Sequence, residues 1–156
     1  MSGPLSSLKV LDFTTLLPGP MGAMIMADWG ADVVRVESPT RPDMVRMLPP
    51  MDDGVSACHG YLNRSKRSLA LDLKKPDAVA AVKRLVRDYD IVVEQFRPGV
   101  MDRLGVGYEA LKALANPEAL ATYHAMLDAM KSMMLFCKNP GMRSHSSLSV
   151  RPSDHA

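Results

Sequence analysis

Apolar positions near the amino terminus change rhythm twice within thirty residues. A short apolar run at 10–13 gives way to Pro18-Gly19-Pro20, then to positions 21–29 at helical spacing, then to a second run at 32–37. Strand, helix, strand is a crossover unit, because parallel strands cannot be joined by a tight turn. Its right-handed hand lays the helix on one face of a sheet and puts loop 14–20 at the carboxyl edge of the first strand. Ligands of open α/β sheets bind at that edge. The loop, Thr14-Thr15-Leu16-Leu17-Pro18-Gly19-Pro20, has neither G-x-G-x-x-G nor a phosphate-loop lysine, so it does not advertise a dinucleotide or a triphosphate.

Downstream the pattern continues in the same class. Residues 38–60 are rich in proline and glycine and lack periodicity, which predicts a long loop serving as a lid or a subunit contact. Alternation over 69–73 predicts a strand. Lys75-Pro76-Asp77 then starts a helix over 77–87, with Val79, Val82, Leu85 and Val86 on its apolar stripe and Lys83, Arg84 and Arg87 on the remaining surface. Ile91-Val92-Val93 centres a buried strand over 90–94. Arg97-Pro98-Gly99 breaks the chain, a helical turn covers 100–104, and a helix covers 108–115, ended by Asn116-Pro117. This order predicts an α/β, Rossmann-like fold with a largely parallel sheet and flanking helices. Further on, Leu120, Tyr123, Leu127, Met130 and Met134 share one helical stripe, and residues 137–156 carry serine and histidine without periodicity, which predicts a disordered tail.

Composition narrows the class without naming a function. The chain has 156 residues, 47% hydrophobic and 23% charged, which suits one folded domain with a core. A net charge of +2 with scattered basic residues gives no footprint for nucleic acid. No apolar run approaches the ~20 residues of a membrane span, and the start lacks the pattern of a secretory signal, so the expected setting is the cytoplasm, away from membranes. Cys58 and Cys137 have neither metal-ligand spacing nor a disulfide framework, and no metal is expected. Thirteen methionines against eight aromatics read as soft core packing.

Four stretches, 9–39, NRSKRSLALDLK at 63–74, VVEQFRPGVMDRLGVGYEALK at 92–112, and Asn116-Pro117, stand in an order and spacing that resembles the amino-terminal part of the family III CoA-transferases, the group that also contains the α-methylacyl-CoA racemases. The resemblance covers residues 4–118 and stops after Pro117. It implies three segments: 1–118 as the family-like α/β domain, 119–136 as an amphipathic helix without family counterpart, and 137–156 as the tail. Relative to the family's two-domain fold, the chain reads as truncated.

The resemblance implies CoA, or an acyl-CoA, as the small-molecule partner. Carried over by position, Leu16, Leu17 and Pro18 lie beside the ligand, Leu71, Asp72, Leu73 and Lys74 along it, and Gln95, Phe96, Arg103 and Leu104 on its far side. Lys74 and Arg103 are the cations for its phosphates, and Phe96 is a flat surface for the adenine or the pantetheine arm. Family members often carry Arg directly after the acidic residue ending the second strand; Ser38 stands there, and Arg35, one strand step away, is the substitute. The family's catalytic aspartate, and the His and Asp of the racemases, lie beyond a glycine-rich turn that this chain lacks. No catalytic residue is therefore assigned. His124 and Asp128 read as an ordinary helix pair, and His59 has no partner in the sequence. The implied function is a CoA-transferase-like, acyl-CoA-handling protein inactive by itself; a racemase-like fragment and a non-catalytic CoA-binding or interaction module are the alternatives. A sheet without its second domain leaves apolar surface, so self-association is expected.

Overall fold

The computed structural model describes residues 3–114. The helix expected over 119–136, the tail 137–156, Asn116-Pro117, Cys137, His124 and Asp128 lie outside them. In chain order the elements are β1 (Lys9–Asp12), α1 (Pro18–Asp28), β2 (Asp32–Glu37), a 3₁₀ turn (Met44–Met47), β3 (Met51–Asp52), β4 (Val55–Ser56), α2 (Ala57–Leu62), β5 (Arg67–Ala70), α3 (Pro76–Leu85) with a 3₁₀ turn (Val86–Asp88), β6 (Ile91–Val93), α4 (Val100–Arg103) and α5 (Tyr108–Lys112). Four strands form one parallel sheet in the order β5-β2-β1-β6, and β3 and β4 form a separate antiparallel pair. The expected α/β class with a parallel sheet and flanking helices is what the chain adopts. No helix among the described residues is long and apolar enough to cross a membrane.

The central strands read as continuous apolar runs because helices cover both faces of a parallel sheet. Val10, Leu11, Val33, Val34 and Val36 are buried, and Leu11 stands opposite Val34 on one side and Val92 on the other. Leu11, Phe13, Val34 and Val36 share a core with Val82 and Val86 after β5, and with Met101, Val106 and Leu111 after β6. Helix α1 lies close to the sheet through Gly19, Pro20, Ala23, Met24 and Ala27. A Cβ at Gly19 would overlap the Thr14 side chain and sit 2.5 Å from Gln95 Oε1, so this approach requires glycine.

Three of the differences from the sequence reading have a clear physical reason. Helix α1 starts at Pro18, because prolines in the first turn give up only N–H groups that have no intrahelical partner anyway. Strand β5 occupies Arg67–Ala70 instead of 69–73. Its partner β2 ends at Glu37, opposite Ala70, and the last rung is Leu71 N–H donating to the Glu37 carbonyl. The segment 38–60 is not an irregular loop. Asp43 caps the first 3₁₀ turn by accepting from Val45 N, and Ser56 caps α2 by accepting from His59 N while donating to the Leu48 carbonyl at 2.7 Å.

Candidate functional site

The segments leaving the carboxyl ends of β1, β2, β5 and β6 carry nearly all the residues of interest, as the parallel topology requires. The loop after β1 is held by side chains from distant parts of the chain. Asp12 is fully buried; its Oδ1 accepts from Thr14 N at 2.9 Å and from the Thr14 hydroxyl. Gln95, just past β6, donates from Nε2 to the Thr15 carbonyl at 2.5 Å and to Thr15 Oγ1 at 3.1 Å. Leu16 N–H donates to the Asp43 carboxylate at 3.1 and 3.2 Å. The Pro20 carbonyl accepts from Lys66 Nζ at 2.9 Å. Leu16 has φ 63, a left-handed conformation that costs a non-glycine residue about 1–2 kcal/mol. The outcome is a rigid loop whose Leu16 and Leu17 side chains are 44% and 51% exposed, with Pro18 opening α1 behind them.

A second feature assembles the cations. Leu73, Lys74, Pro76, Val79, Ala80, Lys83, Arg103 and Leu104 line one open groove between α3 and the end of α4. Lys74 and Arg103, nearly thirty positions apart in sequence, thus face the same space. Lys83 joins them; the sequence reading left it on the helix surface, although Pro76, Val79, Ala80 and Lys83 recur at three- and four-residue steps on one face. Among the described residues no carboxylate lies within ion-pair distance of these three cations, since the ion pairs are those of Arg35, Arg46, Arg64, Lys66 and Arg67. Three unpaired cations beside an apolar wall suit a polyanion with an organic arm.

The other candidates take different places. Leu71, Leu73 and Leu104 are half-buried against the core. Asp72 builds the turn into α3, its carboxylate accepting from Lys74 N at 3.1 Å. Phe96 lines a separate cavity, after β6, with Glu94, Arg97, Gly99, Met101 and Tyr108. Gln95 faces the β1 loop instead of that cavity. Arg35 requires a correction: it is 3% exposed and paired with Asp43 at 2.5 Å, so it is an internal brace and not an open edge cation. His59, without a partner in the sequence, lies 3.4 Å from Arg35 Nη1 and 3.2 Å from Asn63 Nδ2 through its Nδ1. Burial is the first cause that lowers its pKa, and the charges of Arg46 and Arg35 add to it.

Glu37, at the end of β2, is anchored by Arg46 through bonds of 2.7, 2.9 and 3.2 Å and accepts from Asp43 N at 2.7 Å. The Arg46 hydrogen bond is the main reason its pKa is lowered from 4.5 to about 2. A carboxyl with a depressed folded pKa contributes stability that is present above pH 4.5 and lost as the pH falls toward about 2. Arg46 is 42% exposed, so solvent screening leaves roughly 1 kcal/mol of the nominal shift. Glu37→Gln should lower stability by about that amount at pH 7 and make the acid transition between pH 5 and 2 shallower. Urea titrations at several pH values check this, and parallel curves for parent and variant would contradict it.

Known proteins share this arrangement of sequence and fold. A family model described as CoA-transferase family III matches residues 5–120. The acetyl-CoA:oxalate CoA-transferase of Acetobacter aceti is 41% identical over 118 residues, covering 76% of this chain and 30% of that protein. The succinyl-CoA:mesaconate CoA-transferase of Haloarcula hispanica is 44% identical over 123 residues, covering 76% and 31%. A crystal structure of a CAIB/BAIF family protein from Brucella suis superposes with a TM-score of 0.69 at 38% identity, covering 74% of this chain and 32% of that one. The chain spans about a third of the length of the relatives it matches. With the family match extending over most of its residues, this chain belongs to CoA-transferase family III.

Proposed function

We propose that residues 1–118 grip the CoA part of an acyl-CoA, as the amino-terminal α/β domain of a protein that moves CoA between carboxylic acids. The observation that carries this reading is the groove in which Lys74, Lys83 and Arg103 stand together, unpaired among the described residues. Phosphates of CoA answer those charges, and Leu73, Pro76, Val79 and Leu104 offer apolar surface for its organic parts. The β1 loop, with Leu16 and Leu17 exposed, offers further apolar surface at the carboxyl edge of the sheet. Relatives named as CoA-transferases favour transfer over α-proton exchange. Exposed Met44, Met47, Met51 and Val55 favour self-association.

The chain by itself is expected to bind CoA and catalyse nothing. Asp12 and Asp43, the carboxylates that bond the β1 loop, are each committed to a buried cation, and neither is free to attack a thioester. Titration calorimetry with CoA and acetyl-CoA should give a weak, saturable heat, and absence of any heat would sink the binding reading. Incubated with acyl-CoA and a second acid, the protein should move no CoA, and 2-methylacyl-CoA in deuterated water should stay unexchanged. Exchange that disappears in His124→Gln or Asp128→Asn would overturn the expectation of inactivity.

A further inference from the structure

We propose that the buried Arg35–Asp43 pair is a positioning device for the β1 loop: it fixes the left-handed backbone of Leu16 and thereby sets ligand affinity from a place that never touches the ligand. The proposal rests on the CoA-binding reading only for its affinity arm.

Asp43 has a side chain 1% exposed and three duties. Its Oδ2 meets Arg35 Nη2 at 2.5 Å, both oxygens accept from Leu16 N, and Oδ1 accepts from Val45 N at 3.0 Å. The first duty offsets the cost of burying a carboxylate at this depth. The third fixes the carboxylate to its own turn. The second is the output, because a leucine adopts φ 63 only where its surroundings impose it. The Leu16 side chain is 44% exposed and cannot impose it by packing; the bond from its N–H to Asp43 can. Upstream, Asp43 N donates to Glu37 Oε1, which Arg46 holds, so the whole stretch from β2 to the 3₁₀ turn is braced behind that one bond. Arg35 Nε is buried without a partner among the described residues, which leaves the guanidinium's hold on Asp43 as its main polar tie.

A double-mutant cycle in the 156-residue chain separates positioning from mere stability. Asp43→Ala should weaken CoA binding by about tenfold, the scale of one left-handed leucine losing its support. In a Leu16→Gly background the same change should cost less than about threefold, because glycine adopts a positive φ without steric penalty. NMR-detected amide exchange should rise about tenfold or more at Leu16 in Asp43→Ala while Val92 and Val93 in β6 keep their parental rates. Asp43→Asn, which retains both the shape and an acceptor, serves if the alanine variant does not fold, and should show the same loss of Leu16 protection to a smaller degree. Equal costs in the two backgrounds, or Leu16 protection unchanged in a variant with weakened binding, would overturn the proposal. If the parent binds no CoA, the ligand reading fails, and Leu16 exchange still decides whether Asp43 positions the loop.

Discussion

Replacing Lys66 by methionine should cost about 3–5 kcal/mol of folding free energy, the usual penalty for leaving one member of a buried ion pair behind. The Lys66 side chain is 1% exposed, and the three donors of its Nζ are all used: 2.9 Å to Asp12 Oδ2, 2.9 Å to the Pro20 carbonyl and 3.2 Å to Asn63 Oδ1. Methionine fills most of the same unbranched space, one atom shorter, and makes none of those bonds. Asp12, fully buried at the end of β1, would then hold a carboxylate with no cation, and the Pro20 carbonyl would lose the lysine bond. Burial is the largest influence on Lys66 and pushes its pKa down, outweighing the opposite pull of Asp12. The pair as a whole therefore stabilises little, and the cost appears when it is split. From that follows a second expectation, that Asp12→Asn combined with Lys66→Met recovers much of the loss. Urea denaturation measures both. A single variant within about 1 kcal/mol of the parent would contradict the argument. Because Asp12 also holds Thr14, the same variant should loosen the β1 loop.

How much of this could be read from the sequence depends on how far each determinant reaches. The crossover unit was legible because its signals are local: an apolar run, a proline break, helical spacing and a second run. The sheet order β5-β2-β1-β6 needed more than periodicity, since strand ends are set by partners. Leu71, Asp72 and Leu73 alternate as a strand should, yet β2 ends at Glu37 and no rung remains for them. Segment 38–60 contained readable signals that composition obscured. Asp53-Gly54, with φ values of 44 and 77, is the turn dipeptide favoured in two-residue hairpins, and it joins β3 to β4. Asp43 and Ser56 stand as caps before short helical turns. The proline and glycine content around them suggested an irregular loop where local hydrogen bonds supply regular turns.

The site divides along the same line. Lys74 and Arg103 were singled out by resemblance to the family, and the groove that unites them with Lys83 was not visible in any linear window. Lys66, Asp12 and Asp43 were missed because their roles are long-range pairings, 54 positions apart for Lys66 with Asp12 and 27 for Asp43 with Leu16. A buried lysine looks like a surface lysine in a sequence. Arg35 was misplaced for the same reason: its strand position was right, and the carboxylate that claims it comes from a segment read as loop.

Alanine at both Lys74 and Arg103 should weaken CoA binding by about a hundredfold, and Arg103→Ala alone by about tenfold. A charge-assisted phosphate contact contributes roughly 1.5–3 kcal/mol, and the openness of the groove places each of these near the lower end. Arg103→Lys should lose less than Arg103→Ala, because it keeps the charge and gives up only the two-pronged geometry. Raising ionic strength from about 0.05 to 0.5 M should weaken the parent more than the double variant, whose screened charges are already gone. Stability should hardly move. Neither side chain has an ion-pair partner among the described residues, and removing two of three clustered cations relieves repulsion with Lys83, so the expected change is within about 0.5 kcal/mol. Calorimetric titration of parent, singles and double at two salt concentrations, beside their urea midpoints, gives every quantity needed. A double variant that binds CoA as tightly as the parent would remove this groove from the ligand site. The contact would then have to be sought at the cavity lined by Phe96 and Arg97.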